Sequence, residues 1–227
     1  MTQSVTGVIQ SSPHESTLRQ GAIALGLSLS DSQIAQLLSY HALIQKWNKV
    51  YNLTAVRDPA EMLTHHLLDS LAIVAPLIRQ TAGASINMLD VGAGAGLPGV
   101  VVAICCTQVS VTCVDAVAKK MAFVQQVATE LKLPNLKALH SRVEVLTQKF
   151  EVITSRAFAT LVDFVTGSRA ALKPGMGVWL AMKGRDTSAE VAALPADVVV
   201  FHVEQLTVPG LDVERCIVWM KKAISTG

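Results

Sequence analysis

Apolar residues recur at helical spacing over the first third of the chain, then give way to short apolar runs closed by polar or glycine-bearing turns. Residues 1 to 14 are rich in Ser, Thr and Gln and read as a flexible tail. A helix is predicted over Glu15 to Leu25. Ser30-Asp31-Ser32-Gln33 forms a capping box, in which the Ser hydroxyl and the Gln side chain satisfy orphan amides at the start of a helix. Ile34, Leu37, Leu38, His41, Ile44 and Trp47 then follow on one stripe, and His41 there reads as a core histidine. Asp58-Pro59-Ala60-Glu61 opens the next helix, with Asp as cap, Pro at the first helical position and Glu completing the box. That helix carries Met62, His65, His66, Asp69 and Ser70. His66 and Asp69 share a face, which suits either a structural hydrogen bond or a contact with a ligand.

From residue 86 the period changes. The run Ile86-Asn87-Met88-Leu89-Asp90 leads into Gly92-Ala93-Gly94-Ala95-Gly96-Leu97-Pro98-Gly99, and Val100 to Ile104 follow. This order is strand, tight loop, helix, the first unit of a nucleotide-binding α/β sheet. Val109 to Val114 is a second strand, ending at Asp115. Val117 to Leu131 is an amphipathic helix opened by Lys119 and Lys120, and Leu136 to His140 is a short strand. Phe150 to Ser155 is a strand that delivers Arg156, and residues 159 to 172 read as helix. Met176 to Met182 is a strand ending at Lys183, and Thr187 to Leu194 a short helix. Val198 to Val208 and Arg215 to Lys221 read as an antiparallel pair at the end of the sheet. The predicted fold class is α/β and Rossmann-like. A mostly parallel sheet carries helices on both faces and a C-terminal antiparallel hairpin. A helical extension over residues 15–80 precedes a ligand-binding domain over 81–227, the two packed as one unit.

In such sheets ligands sit outside the carboxyl ends of the strands. Gly92 to Leu97, Asp115, Val143-Glu144 and Arg156 follow successive strand ends and are expected to meet in one crevice. The spacing Gly92-x-Gly94-x-Gly96 places Leu97 where a dinucleotide fingerprint requires a third small residue. Asp90, just before the loop, would face a pyrophosphate unfavourably but suits a cationic amino group, directly or through water. Asp115 is placed to accept hydrogen bonds from a ribose diol. S-adenosylmethionine (SAM) has an ammonium, a ribose and an adenine and no phosphate, so the loop points to that cofactor. A glycine-rich turn without a ligand is the bland alternative.

Composition narrows the class. The chain has 227 residues, 51% hydrophobic and 16% charged, with net charge +2 and pI about 8.4. The mild basic balance permits nucleic acid as a partner without arguing for it. No charged residue lies between Val91 and Val114, but four glycines and a proline open that stretch and its end alternates like a strand, so a membrane span is rejected. Met1 to Gln20 lacks the basic-then-apolar order of a signal peptide. Cys105, Cys106, Cys113 and Cys216 show no C-x-x-C spacing and read as reduced core residues of a cytoplasmic protein. The histidines have no ligand spacing beyond the pair His65-His66, so no metal is expected.

After the fourth strand the chain has Ser155-Arg156-Ala157-Phe158-Ala159. It lacks the Asn/Asp-Pro-Pro-Tyr/Phe tetrad that holds exocyclic amino acceptors, and the Pro-Cys or Thr-Cys nucleophile of carbon-5 pyrimidine methylation. A ring nitrogen with a free lone pair needs neither. An Arg here can face a guanine edge or a phosphate and a Phe can stack on a base. The bland alternatives are a salt-bridged Arg and a core Phe.

Eight stretches in order carry a resemblance: Trp47–Thr54, Val56–Glu61, His66–Ser70, Leu89–Gly99, Ser141–Glu144, Ser155–Ala159, Met182–Gly184 and Leu211–Arg215. They resemble the bacterial ribosomal RNA small subunit methyltransferase G family, also called glucose-inhibited division protein B. The resemblance covers nearly the whole chain and implies a class I SAM-dependent methyltransferase fold. It implies methylation of N7 of one guanosine in the decoding region of 16S ribosomal RNA, naked or within the small ribosomal subunit, by a monomer. It also implies SAM contacts at Gly92, Leu97, Val143, Glu144 and Arg156. Ala95 departs from the family pattern, where many members have Pro. Added to the reading of the loop, this gives a cofactor site of Asp90, Gly92, Gly94, Gly96, Leu97, Asp115, Val143, Glu144 and Arg156. Arg156, with Asn52 or His66, is expected to position the guanine. Lys46, Lys49, Arg57, Lys119, Lys120, Arg142 and Lys183 are the candidate contacts to RNA phosphates. A methyltransferase acting on a small molecule is the alternative.

Overall fold

The computed structural model describes residues 12–156, 158, 160–184 and 186–223. Most of the expected tail, residues 1–11, lies outside the described residues. Its last two residues, Pro13 and His14, already belong to a helix: the Ser12 hydroxyl caps α1 (Pro13–Ala24) by accepting from the Glu15 amide at 3.2 Å, with Pro at the first helical position.

The capping box at Ser30 is formed in both directions, with the Gln33 amide on the Ser30 hydroxyl at 3.2 Å and the Ser30 amide on Gln33 Oε1 at 2.9 Å. It starts α2 (Asp31–Tyr51), which ends at Asn52 in the left-handed conformation (φ 49°). Ile34, Leu37 and Ile44 are fully or almost fully buried on its inner face, each worth about 1.5–3 kcal/mol of burial. Asp58 caps α3 (Pro59–Met62), its carboxylate accepting from the amides of Ala60 and Glu61. The chain continues without a break through a π-helical stretch, Leu63–Leu68, into α4 (Asp69–Leu71), and then α5 (Val74–Thr81). The sequence pattern shows one helix there and gives no sign of the wide turn.

The sheet has seven strands in the order β3-β2-β1-β4-β5-β7-β6. β1 (Ile86–Val91), β2 (Val109–Asp115), β3 (Leu136–His140), β4 (Val152–Ser155) and β5 (Val178–Lys183) pair in parallel, while β7 (Arg215–Lys222) runs antiparallel to both β5 and β6 (Val198–Leu206). Several runs are shorter than the sequence suggests. Phe150 lies outside β4 as an isolated bridge to Leu172, and Met176 is exposed in the turn before β5. Residues 159–172 give α8 (Leu161–Ser168) and one 3-10 turn, with Ala159 outside the described residues.

Strand alternation sends side chains to two cores. Met88, Val152 and Leu180 pack with the extension, α6 (Gly99–Cys105) and α7 (Ala118–Glu130); Leu89, Ile153 and Trp179 pack with α8 on the other face. α9 (Ser188–Ala192) flanks this second layer. The extension is joined to the sheet domain by side-chain bonds that cap helix ends. Gln33 Nε2 donates to the carbonyls of Ile104 and Cys105, and Gln36 Nε2 to that of Leu131. These supply partners to carbonyls that the last turns of α6 and α7 leave unpaired.

Candidate active site

The order of strands reverses between β1 and β4, which puts the crevice of the sheet above their carboxyl ends. There the loop after β1 turns with Gly92, Gly94 and Gly96 all at positive φ (65°, 59° and 89°). Asp115 at the end of β2 organises it. One carboxylate oxygen accepts from the Gly94 amide at 3.1 Å and lies 3.5 Å from Lys120 Nζ; the other accepts from the Val117 amide at 2.9 Å. A cavity of about 400 Å³ opens beside them, lined by Gly92, Asp115, Arg142, Val143, Glu144 and Phe158 among others. Four expected cofactor residues therefore meet: Gly92, Asp115, Val143 and Glu144.

Gly94, Gly96, Leu97 and Asp90 do not line this cavity. Leu97 is buried against the core and precedes a cis peptide to Pro98. Asp90 is fully buried beneath the loop, where Oδ2 accepts from the Gly99 amide at 2.8 Å and so holds the first residue of α6. The expectation of a direct ammonium contact is corrected here: alternation turns Asp90 to the α6 face of β1, away from the opening. Its Oδ1 has no partner in the structure. Burial pushes this carboxyl up to about 7, against the lowering effect of the Gly99 amide.

A brace that sequence reading missed comes from α2. The Tyr40 hydroxyl donates to the Ala95 carbonyl at 2.7 Å, fully buried. Nothing local to Tyr40 signals this, because its partner lies 55 positions away.

Arg156 lines a separate cavity of about 420 Å³ with His65, His66, Asp69, Lys183 and Arg215. The single crevice expected for all four segments is thus two cavities. They adjoin at the segment after β4, where Arg156 faces one and Phe158 the other. Three bonds fix the guanidinium. Nη1 donates to the His65 carbonyl at 2.8 Å and to Asp69 Oδ2 at 3.2 Å, and Nη2 to His66 Nδ1 at 3.4 Å. The π-helical stretch helps make the first bond. The Asp69 amide, which an α-helix would direct to His65, instead reaches the Thr64 and His66 carbonyls.

Since an Arg only donates, His66 Nδ1 is the acceptor, and Nε2 carries the proton donated to Thr54 Oγ1 at 2.7 Å. Burial, then the charge of Arg156, lowers His66 to about 4, so the ring is neutral. Asp69, nearly buried, bridges two arginines: its other oxygen accepts from Arg215 Nε at 3.0 Å. Asp69, read with His66 as a structural or ligand contact, bonds Arg156 and Arg215 instead of His66, and Arg215 was missed as a site residue although it lies in a stretch that carries the resemblance.

Asn52 is exposed and its Oδ1 accepts from Arg57 at 3.2 Å, apart from this network. The asparagine inside it is Asn48, which accepts from the Thr54 amide at 2.9 Å and donates to the Val56 carbonyl. Lys46, Lys49, Arg57, Lys119 and Arg142 are exposed, whereas Lys183 is held by Glu190 at 2.8 Å and by the Phe158 carbonyl. Ala157, Ala159 and Arg185 lie outside the described residues. A further cavity, about 750 Å³, lies at the opposite end of the sheet, by Pro174 and Lys222, remote from these groups. Among the described residues no three His, Cys, Asp or Glu side chains gather to hold a metal, and no helix is long and apolar enough to cross a membrane.

A sheet of this order, with a glycine loop at its switch point and an acid closing β2, defines a class I methyltransferase. Solved structures agree on the fold: TrmN from Thermus thermophilus (TM-score 0.54, 16% identity, 70% of this chain and 53% of that one) and PH1948 from Pyrococcus horikoshii (0.55, 16%, 92% and 98%). Residues 33–218 match the family described as rRNA small subunit methyltransferase G. The ribosomal RNA small subunit methyltransferase G of Acidovorax ebreus (strain TPSY) is 62% identical over 222 residues, covering 94% of this chain and 98% of that protein. The one from Polaromonas sp. (strain JS666 / ATCC BAA-500) is 63% identical over 213 residues, 91% and 93% of the two chains. The chain belongs to the rRNA small subunit methyltransferase G family.

Proposed function

We propose that this chain transfers the methyl group of SAM to N7 of a guanosine in the decoding region of 16S ribosomal RNA. The observation that carries this reading is Arg156, clamped in a basic cavity two residues before Phe158, which lines the cofactor-sized one. The residues present fit SAM. An acid lines the cavity at ribose position, Val143 and Phe158 offer apolar walls for an adenine, and a buried carboxylate with a free oxygen, Asp90, lies under the loop. Asp90, buried under the loop, would serve an ammonium through water. When bound, the cofactor supplies a sulfonium-bound methyl carbon open to attack.

The chain's own residues then bind and orient. Gly92, Gly94, Gly96 and Leu97 shape the loop for the methionine part, Asp115 takes the ribose, and Val143 and Glu144 edge the adenine. Arg156 would donate to O6 on the guanine's Hoogsteen edge and leave the N7 lone pair free toward the methyl. Attack by that lone pair would break the S–C bond without releasing a proton, so the chain need supply no base. His66 is suited to holding Arg156 and unsuited to proton transfer, being neutral with both ring nitrogens engaged. Lys46, Lys49, Arg57, Lys119 and Arg142 are free to meet phosphates; Lys120 and Lys183 already serve Asp115 and Glu190.

The test is transfer of labelled methyl from SAM to small-subunit RNA of cells lacking this gene, offered naked and as assembled subunits. Label in 7-methylguanosine at one site is the expected result. Label in another nucleoside, or none with SAM bound, overturns it.

A further inference from the structure

Four aromatic rings form a ladder from the cofactor loop to the protein surface. Tyr40, whose hydroxyl holds the Ala95 carbonyl, stacks on Phe123 of α7 (6.4 Å between centroids, 26° between planes). Phe123 meets Trp47 edge-on at 5.3 Å, and Trp47 meets Tyr51 at 5.1 Å and 35°. Tyr40, Trp47 and Tyr51 lie on one side of α2, at steps of seven and four residues. The ladder ends in the open. Tyr51 is 40% exposed and its neighbour Val50 70%. Tyr51 thus keeps one face on Trp47 and turns the other to solvent beside Val50, a small apolar patch at the helix end. Exposed cations stand on the neighbouring elements: Lys46 and Lys49 on the last turns of α2, Arg57 in the following loop and Lys119 on the first turn of α7.

We propose that Tyr51 is a stacking platform for one unpaired base of the RNA substrate, with the exposed cations of the α2 end, the following loop and α7 meeting phosphates further along the same strand. This rests on the RNA methylation reading and extends it, since it requires a single-stranded segment beside the target guanosine. An aromatic face among cations is the pattern by which proteins hold unpaired nucleotides without reading sequence. The ring is already ordered by Trp47, so little side-chain freedom is lost when a base settles on it. The same ladder fixes the distance between this base and the loop at Ala95, so that a base held at Tyr51 registers the neighbouring strand against the site.

The test is fluorescence anisotropy of the full chain with a labelled oligoadenylate strand and with an RNA duplex of equal length. Tyr51→Ala should weaken single-strand binding about tenfold and leave duplex binding unchanged. The dependence on salt should also stay the same, because no cation is removed. Tyr51→Phe should restore binding. Lys49→Gln should weaken both probes and flatten the salt dependence. SAM affinity should be the same in Tyr51→Ala as in the parent chain, which a merely structural loss at the ladder would alter. If Tyr51→Ala binds both probes as the parent does, or loses both equally, the platform is refuted while the methylation reading stands. If the parent chain binds neither probe at low salt, the platform is also refuted, while the methylation reading is decided by the labelled-transfer assay alone.

Discussion

The hydroxyl of Tyr40, in the helical extension, donates to the carbonyl of Ala95 in the glycine loop at 2.7 Å. Because the bond is fully buried, its loss leaves a carbonyl without a donor, a cost of about 1–3 kcal/mol. Tyr40→Phe keeps the ring stacked on Phe123 and removes only the donor. Urea unfolding should show a loss of about 1–2 kcal/mol, and calorimetry a several-fold weaker affinity for SAM. Lower stability with unchanged SAM affinity would show that the extension supports the fold and not the loop.

Asp69 should be as sensitive as Arg156. It is the shared acceptor of Arg156 and Arg215, almost without solvent, whereas the two arginines keep 21% and 28% exposure. Breaking a buried pair costs about 3–5 kcal/mol, and partial exposure of the cations reduces this to about 2–3 kcal/mol. Asp69→Asn should therefore destabilise by that amount and depress methyl transfer strongly, since Arg156 loses its charged anchor. Arg156→Ala should stay folded and lose transfer outright. Near-parental turnover in Arg156→Ala would remove it from the site.

What the sequence made legible was local. Ser30 with Gln33 and Asp58 with Pro59 announce helix starts within four residues; the first forms its full box, while at the second Asp58 caps and Glu61 does not close the box among the described residues. The loop Gly92–Gly99 between two apolar runs placed the first strand and helix of the sheet. Bonds between distant positions were not legible. Gln33 completes a local box while its Nε2 caps α6, 71 positions on, and no pattern around Gln33 records the second task. Asp69 meets Arg215 across 146 positions. The spacing of apolar residues in Leu63–Leu68 fits an α-helix, so the π-helical turn at His65 has no local signature. Asn52 and Asn48 are one helical turn apart. Only the helix end at Tyr51 and the left-handed Asn52 decide that Asn48 points inward.

Two buried groups should oppose each other in pH dependence. Asp90 is raised from 3.8 to about 7, so the native state holds its proton more tightly than the unfolded chain and stability falls as pH rises through this window. His66 is lowered from 6.5 to about 4, so the unfolded chain holds the proton more tightly and stability falls as pH drops. Each contributes on the order of a few kcal/mol, with opposite sign, between about pH 5 and 7. Glu151 and Asp197 are both lowered and act below that range. His41, also lowered by burial, adds to the His66 side, so the parent chain should lose stability gently as pH drops there. Asp90→Asn should gain stability with rising pH, and His66→Gln should lose it. Flat profiles in both variants would refute the two burial effects. Because His66 stays neutral, transfer at saturating SAM should also hold level from pH 8 to 6. A sigmoid loss near 6.5 in folded enzyme would instead indicate a base.

Gly92 and Gly96 should fail in different ways when replaced by Ala. Both have positive φ, which costs an L-residue about 1–2 kcal/mol. At Gly96 a Cβ would also stand 2.5 Å from Val100 Cγ2 and 3.2 Å from Val124 Cγ2, both on packed helices with no room to yield. Overpacking of this kind adds about 1–3 kcal/mol. At Gly92 the nearest atoms to a Cβ are in the Phe158 ring, 4.0 Å away, beside the 400 Å³ cavity. Gly96→Ala should therefore lower the unfolding midpoint more, while folded Gly92→Ala should lose SAM affinity out of proportion to its stability. Calorimetric titration with SAM alongside urea unfolding separates the two. If Gly92→Ala binds SAM as the parent chain does, the cavity beside Phe158 is not where the cofactor lies.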